Sequence, residues 1–480
     1  MTDGRSMLAE PIAMVGQIAP MAFQGTAVQV LGLVLRVADL PVPVGSQVRI
    51  TPYGTRRQAD GIAGEVIGFD GNLTVVMPLG TTAGIRRGDK VVAESFTQHV
   101  PVGAALLGRV LNAHGRPIDG RGPLVDTVLR PLVGEPIGPL QRPQIDTPLA
   151  TGIRAIDAFV SVGRGQRVGV FAAPGVGKSI LLGSMARHTE ADVTVVALVG
   201  ERGREVGDFL KHHLGPQGLD RSVVICATSD EPALVRCRAA LAASAIAEYF
   251  RDQQQDVLLI MDSLTRFCHA QRQIGLSAGE PPATRGYPPS VFAMVPRLLE
   301  RTGRTRSGSI TGFYAVLVEG DDMDDPVADS ARSVLDGHIV LSRKLAHQGH
   351  WPAIDLVESV SRLADQITGP GHQAARRQVL RLIHHYGQVE ELLHVGAYAA
   401  GSNPEFDLAI ACKPAIDQLV QQGRHETIEV ADFQRTRHQL DALTQRIDQT
   451  RKQLTQTTAQ GLPQPAGPAT TIGAPTPGTR

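Results

Sequence analysis

One stretch constrains this chain more than any other: Ala172-Ala173-Pro174-Gly175-Val176-Gly177-Lys178-Ser179. It fits the phosphate-binding loop in its relaxed form, with Ala in the first glycine slot. The apolar run Val168-Gly169-Val170-Phe171 precedes it, and the helical pattern Ile180, Leu181, Leu182, Met185 follows. Strand, glycine loop and helix, in that order, are the setting in which a short pattern becomes a site. The loop's backbone N–H groups, as far as Ile180, can close around phosphate oxygens, and the helix N-terminus adds positive dipole. Lys178 can reach β- and γ-phosphates, and Ser179 can bind Mg²⁺. The bland alternative is a glycine-rich turn with a solvated lysine.

Organisation along the chain supports that setting. From about Thr151 apolar runs alternate with helical stretches, which predicts an α/β unit with a parallel sheet. The candidate strands are Arg167–Ala172, Thr194–Val199, Val223–Ala227, Val257–Met261, Phe313–Val318 and His338–Leu341. Before it, from Gly25 to about Val92, short alternating runs and turns predict a small β-barrel or sandwich, with Asp70-Gly71-Asn72 punctuating a hairpin. A proline-rich crossing joins the two. Beyond Ala374 the pattern is helical with short turns, as in Arg376–His385 and Val389–Leu393, and it continues to about Gln453. The tail from Thr455 is rich in Thr, Gln, Pro, Gly and Ala, too poor in apolar surface to offset ordering entropy, and reads as disordered.

Two further segments carry carboxylates at strand ends. Asp256-Val257-Leu258-Leu259-Ile260-Met261-Asp262 is a continuous apolar run, as a strand buried on both faces requires. Asp262 would stand at the carboxyl end of the sheet beside the loop, where ligands bind in open α/β sheets, and would hold Mg²⁺ directly or through water. Helix N-capping is its alternative role. Val199-Gly200-Glu201-Arg202-Gly203-Arg204-Glu205 ends another strand. Glu201 is placed to polarise a water for attack on a γ-phosphate, and Glu205 to support it through the metal's water shell. A charged, solvated loop is the alternative. Arg301, Arg304 and Arg306 form a basic cluster that reads as a solvated loop.

Composition removes several classes. Lys+Arg and Asp+Glu both total 47, so the net charge is zero, which argues against a general nucleic-acid binder. Cys226, Cys237, Cys268 and Cys412 show no paired metal spacing and no disulfide framework, and read as buried thiols of a cytosolic protein. No signal-peptide pattern opens the chain, and no apolar run reaches about 18 residues, so no bilayer span is expected. Peripheral membrane attachment stays open.

On these motifs the chain resembles the hexameric ATPases of bacterial type III export, relatives of the rotary ATP synthase catalytic subunit. The supporting segments are Gly175–Ser179, Gly200–Glu205, Met261–Phe267, Gly279–Phe292 and Leu335–Arg343. The likeness runs from about residue 25 to about 450. Gly320–Arg332 and Tyr287-Pro288-Pro289-Ser290 favour the flagellar over the injectisome branch. The resemblance implies a RecA-like P-loop NTPase core over 96–370, a β-barrel domain over 25–95 and a C-terminal helical domain over 371–453. An N-terminal segment (1–24) and the tail (454–480) flank them. It implies ATP and Mg²⁺ bound between subunits of a homohexamer. Export gate proteins, a regulator at the N-terminus, a central stalk, export substrates and chaperones are the implied partners, met at the inner face of the cytoplasmic membrane.

The resemblance also implies roles for single residues. Ser359-Val360-Ser361-Arg362 matches the segment that supplies an arginine finger to the neighbouring subunit, with an internal salt bridge as the alternative. Trp351, the single tryptophan, stands where the family usually has a tyrosine against adenine; an indole stacks at least as well, and core packing is the alternative. The acidic run 319–325 suggests a pore-facing contact. Ala173-Pro174 departs from the family's usual Gly-Ser or Ser-Ala, and proline removes one backbone donor. Two other functions compete: a nucleic-acid translocase, opposed by zero net charge and only 4% aromatic residues, and a non-catalytic nucleotide-binding subunit, opposed by Glu201.

Overall fold

Period-two alternation builds the first unit of the computed structural model, which describes residues 23–54, 61–134, 137–318, 325–423, 426 and 431–460. Strands β1 (Gln24–Leu31), β2 (Val34–Ala38), β3 (Gln47–Thr51), β4 (Ile62–Asp70), β5 (Leu73–Pro78) and β6 (Lys90–Ser95) close a barrel in the order β1-β2-β5-β4-β3-β6. In β3, Val48 and Ile50 are buried while their neighbours are half-buried. Asp70 pairs with Leu73 across the Gly71-Asn72 turn, the expected hairpin, and Gly71 takes the positive φ (56°) that such a turn demands.

Continuous apolar runs build the second unit. Strands β7 (Arg109–Asn112), β8 (Arg167–Ala172), β9 (Val193–Glu201), β10 (Ser222–Thr228), β11 (Asp256–Asp262), β12 (Ser309–Leu317), β13 (Gly337–Leu341) and β14 (Ile354–Ser361) lie in the order β14-β13-β8-β12-β11-β9-β10-β7. The short strand Gly303–Arg304 pairs with β12 off this path, antiparallel. All other pairings are parallel except β13 with β14. Every residue of β9 is buried, as a strand covered on both faces must be.

Helices supply both covers. Those used below are α1 (Arg154–Phe159), α2 (Lys178–His188), α3 (Gly203–Asp208), α4 (Ala233–Asp252), α5 (Leu264–Ser277), α6 (Pro326–Val334), α7 (Pro370–His394), α8 (Pro404–Val420) and α9 (Phe433–Gln460). Val195, Ala197 and Val199 of β9 join the core that contains α4 and α5. Val196 and Leu198 join the core that contains α2 and the carboxyl-terminal helices. The first core also takes in Val34, Val75 and Met77, so the barrel is packed onto the sheet unit.

The six expected strands are present, and two more join them. β7 lies between the barrel and the proline-rich crossing, where four residues pair with the sheet edge. β14 pairs antiparallel beyond β13. The two expected helical stretches around Gly387 form the single helix α7, because buried Val379, Leu382 and Val389 keep helical spacing through the glycine. A glycine costs a helix only about 1 kcal/mol relative to alanine. Arg301 and Arg304 depart from a solvated loop: Arg301 forks onto Glu248 at 2.7 and 2.9 Å, and Arg304 pairs with Asp146. All four cysteines are buried and unpaired. Residues 1–22 of the N-terminal segment, 319–324 of the acidic run and the tail from 461 lie outside the described residues; 455–460, expected to be disordered, instead continue helix α9 to Gln460. Among the described residues no helix is long and apolar enough to cross a membrane.

Candidate nucleotide site

Three elements end at one place. β8 delivers the loop 172–177, and α2 begins on Lys178. Gly175 and Gly177 take φ values of 84° and 91°, a left-handed backbone that glycine adopts without strain. Gly177 is the N-cap of α2 and carries no side-chain cap, so the first-turn N–H groups remain available to an anion. Pro174 and Gly175 are exposed at the loop's outer turn, away from those donors.

The carboxylates arrive from the neighbouring strands. Leu198 of β9 pairs with Asp262, the last residue of β11, so Glu201 and Asp262 both stand at the carboxyl edge of the sheet. Lys178 Nζ contacts Asp262 Oδ1 and lies 3.6 Å from Glu201 Oε1. Asp262 is buried. It is not the helix cap: Ser263 Oγ accepts from Arg266 N at 3.3 Å and caps α5 instead. The Ser179 hydroxyl, half-buried one residue beyond Lys178, makes no hydrogen bond among the described residues. A free hydroxyl and a carboxylate engaged only by an exchangeable lysine suit a hard divalent cation, which takes oxygen ligands and keeps waters.

Glu201 holds the least ordinary charge in the site. The register slips between Val199 and Glu201, at Gly200, whose φ is 71°. A Cβ there would meet the Arg266 stem at 3.0 Å, so the glycine lets Arg266 lie against the strand end. Arg266 Nη1 donates to Gly200 O, and its Nε lies 3.3 Å from Glu201 Oε1. Neither Arg266 nor Lys178 meets that oxygen with hydrogen-bond geometry, so Oε1 is buried without a donor. Burial, and next the Asp262 charge, push the Glu201 carboxyl up to about 7, against the pull of Lys178 and Arg266. A hydrogen bond from Glu201 draws the Glu205 carboxyl below the usual range. Glu205 sits on α3, largely exposed, with Arg202 Nη1 at 3.6 Å.

Trp351 approaches from the other side of the loop. A Cβ on Gly177 would collide with the indole, so the ring lies directly on the loop glycine. Beside it opens a pocket lined by Val176, Ile180, Leu341, Trp351 and the polar residues Gln422 and Glu426. An aromatic ring and aliphatic side chains lining one pocket suit a flat heteroaromatic ring.

Arg362 is not in this cluster. Ser361 pairs with Gly337, which pairs with Val168, whereas the loop leaves the sheet after Ala172, which pairs with Leu341. Four strand residues separate the two ends, on the order of 13 Å at 3.3 Å per residue. Arg362 is exposed and donates from Nη2 to Arg332 O at 3.1 Å, and it bonds to no carboxylate among the described residues.

Sequence reasoning gave no role to Arg266, Gln422 or Glu426. Arg266 lay within a motif segment, but its partner comes from a separate strand. Gln422 and Glu426 carry no local signal, because their bonds to Arg154 span more than 260 residues.

The comparisons with known proteins agree over most of the chain. Residues 27–94 match the ATP synthase alpha/beta family beta-barrel domain, 152–361 its nucleotide-binding domain, and 368–442 the T3SS EscN ATPase C-terminal domain. The flagellum-specific ATP synthase of Treponema pallidum is 49% identical, over 86% of this chain and 92% of that protein. That of Salmonella typhimurium is 48% identical, over 87% and 93%. The type 3 secretion system ATPase of Xanthomonas euvesicatoria is 46% identical, over 88% and 94%. The solved structure of the assembled ATPase EscN from the enteropathogenic E. coli type III secretion system superposes with a TM-score of 0.81 at 40% identity, over 87% of this chain and 99% of that one. Glycine loop, strand-end carboxylates, barrel and helical domain together make this chain a nucleotide-binding ATPase of the flagellum-specific and type 3 secretion family, within the ATP synthase alpha/beta proteins.

Proposed function

We propose that this protein hydrolyses ATP to energise type III protein export, in the flagellar branch, as a ring of six copies at the cytoplasmic face of the membrane. The flagellar relatives at 46% to 49% identity favour that branch. The assembled EscN structure, and a second structure with its central stalk EscO, favour a ring and a stalk contact. Gate proteins, a regulator at the N-terminus, export substrates and chaperones complete the partners of this reading.

The chemistry follows from the chain's own groups. The triphosphate lies on the N–H groups of 175–180, where the α2 dipole favours its charge. Lys178 exchanges its carboxylate contacts for phosphate oxygens. Ser179 and Asp262 would hold Mg²⁺, which when bound neutralises phosphate charge; Glu205 would support its water shell. Glu201 accepts a hydrogen bond from the attacking water and takes its proton, with Arg266 keeping the side chain on station. Trp351 and Ile180 hold the base. Arg362 of a neighbouring copy supplies the last positive charge, because its own loop lies at the opposite end of the sheet.

The carrying observation is Glu201 Oε1: buried, between two cations, and without a donor of its own. Glu201→Gln is expected to bind ATP, followed by Trp351 fluorescence, and to release phosphate at least about a hundredfold more slowly. Unchanged phosphate release would remove Glu201 from its role. Restored motility in a flagellar strain lacking its own export ATPase tests the branch; restored secretion only in an injectisome strain would reassign it.

A further inference from the structure

Arg154 opens α1, outside every motif of the site, yet four of its donor groups reach one segment of the C-terminal unit. Its backbone N–H donates to Gln422 Oε1 at 3.1 Å, Nε to Leu419 O at 2.9 Å and Nη2 to Gln421 O at 2.5 Å, while Nη1 pairs with the Glu426 carboxylate. These partners are 265 to 272 residues away in sequence. The same segment is tied from two other points. Gln422 Nε2 donates to Gly152 O at 2.8 Å, and Gln422 N donates to Trp351 O at 2.7 Å. Gly423 N closes back on Glu426 Oε2 at 3.2 Å.

Gln422, Gly423 and Glu426 are also part of the wall of the pocket that Trp351 and Ile180 share. Gln422 is held by the Arg154 backbone, Gly152 and Trp351, while the Arg154 guanidinium holds Glu426 and the carbonyls of Leu419 and Gln421, so most anchors of the segment come from Arg154. A guanidinium is well matched to such a junction, because its fork is rigid, stays charged, and serves a carboxylate and two carbonyls at once. A lysine would offer one mobile point charge.

We propose that Arg154 is a positioning residue for the base side of the nucleotide pocket, fixing Gln422, Gly423 and Glu426 as the wall that faces Trp351. It touches neither phosphate nor the reacting water. The proposal rests on the reading that Trp351 and Ile180 receive the base. Removing Arg154 loosens that wall and costs affinity for ATP, while a ligand that has phosphates and no base is held as before.

The test uses the full-length, assembled protein, with ATP as substrate and inorganic tripolyphosphate as competitor. Arg154→Ala is expected to raise the KM for ATP about tenfold, to leave kcat at saturating ATP in place, and to leave the tripolyphosphate inhibition constant unchanged. Arg154→Lys is expected to fall between the two. Should Arg154→Ala fail to assemble, Gln422→Ala removes two other anchors of the same segment, to Arg154 N and Gly152 O, and is expected to give the same selective rise. An unchanged KM for ATP overturns the proposal, as does a parallel rise in KM and in the tripolyphosphate constant, which would mark general loosening. Trp351→Ala separates the two levels. If it raises KM while Arg154→Ala does not, Arg154 loses its role and the base reading stands. If Trp351→Ala leaves KM unchanged, the base reading fails and this proposal with it.

Discussion

Burying Glu201 beside Asp262 sets the pH at which the site works. A carboxyl pushed up to about 7 is protonated below that pH, and a protonated Glu201 cannot accept the water's proton. The shift is upward for an acid, so activity is lost as pH falls. With every unit below 7, kcat/KM should drop about tenfold, and Glu201→Gln should abolish that limb with the activity. A pH-rate profile that stays flat on the acid side would contradict this. Lys178, Asp262 and Glu201 were legible in sequence because each sits at a fixed offset from an apolar run. Arg266 and Arg154 were not, since what they touch depends on which strands and helices become neighbours. The cap at Ser263 removes helix capping as a role for Asp262, an alternative the sequence left open.

Where β8 passes into α2, two constraints fall on one glycine. Gly177 has a φ of 91°, and the Trp351 ring occupies the space of its missing side chain. Gly177→Ala should therefore cost about 1–2 kcal/mol from the left-handed backbone alone. Displacing the indole should add to that and weaken ATP binding. Thermal unfolding and the Trp351 emission spectrum would register both; an unshifted transition with an unshifted spectrum would contradict the contact. At this scale apolar runs carried the reading. β9 and β11 are buried on both faces and announce themselves. β7 and β14 are short or half-exposed strands, held by the sheet edge rather than by their composition. Helix α7 reads as two in sequence because a glycine looks like punctuation until the helical spacing around it is counted.

Over the whole molecule, the barrel, the sheet unit and the helical unit follow from a change of period along the chain, from two to mixed to helical. Pattern alone left the location of Arg362 open, because the register of β14 on β13 decides it. That register sends the residue to the end of the sheet opposite its own loop, which is why the proposed site needs two copies. The ATPase rate per subunit should accordingly rise with protein concentration as rings assemble. The sharpest measurement mixes two inactive variants, Lys178→Ala and Arg362→Ala, and follows phosphate release. In randomly assembled equimolar rings about a quarter of the interfaces join an intact loop to an intact arginine. The split site predicts that the mixture recovers activity that neither variant has alone. A mixture as inactive as its components, in rings shown to contain both, would contradict it.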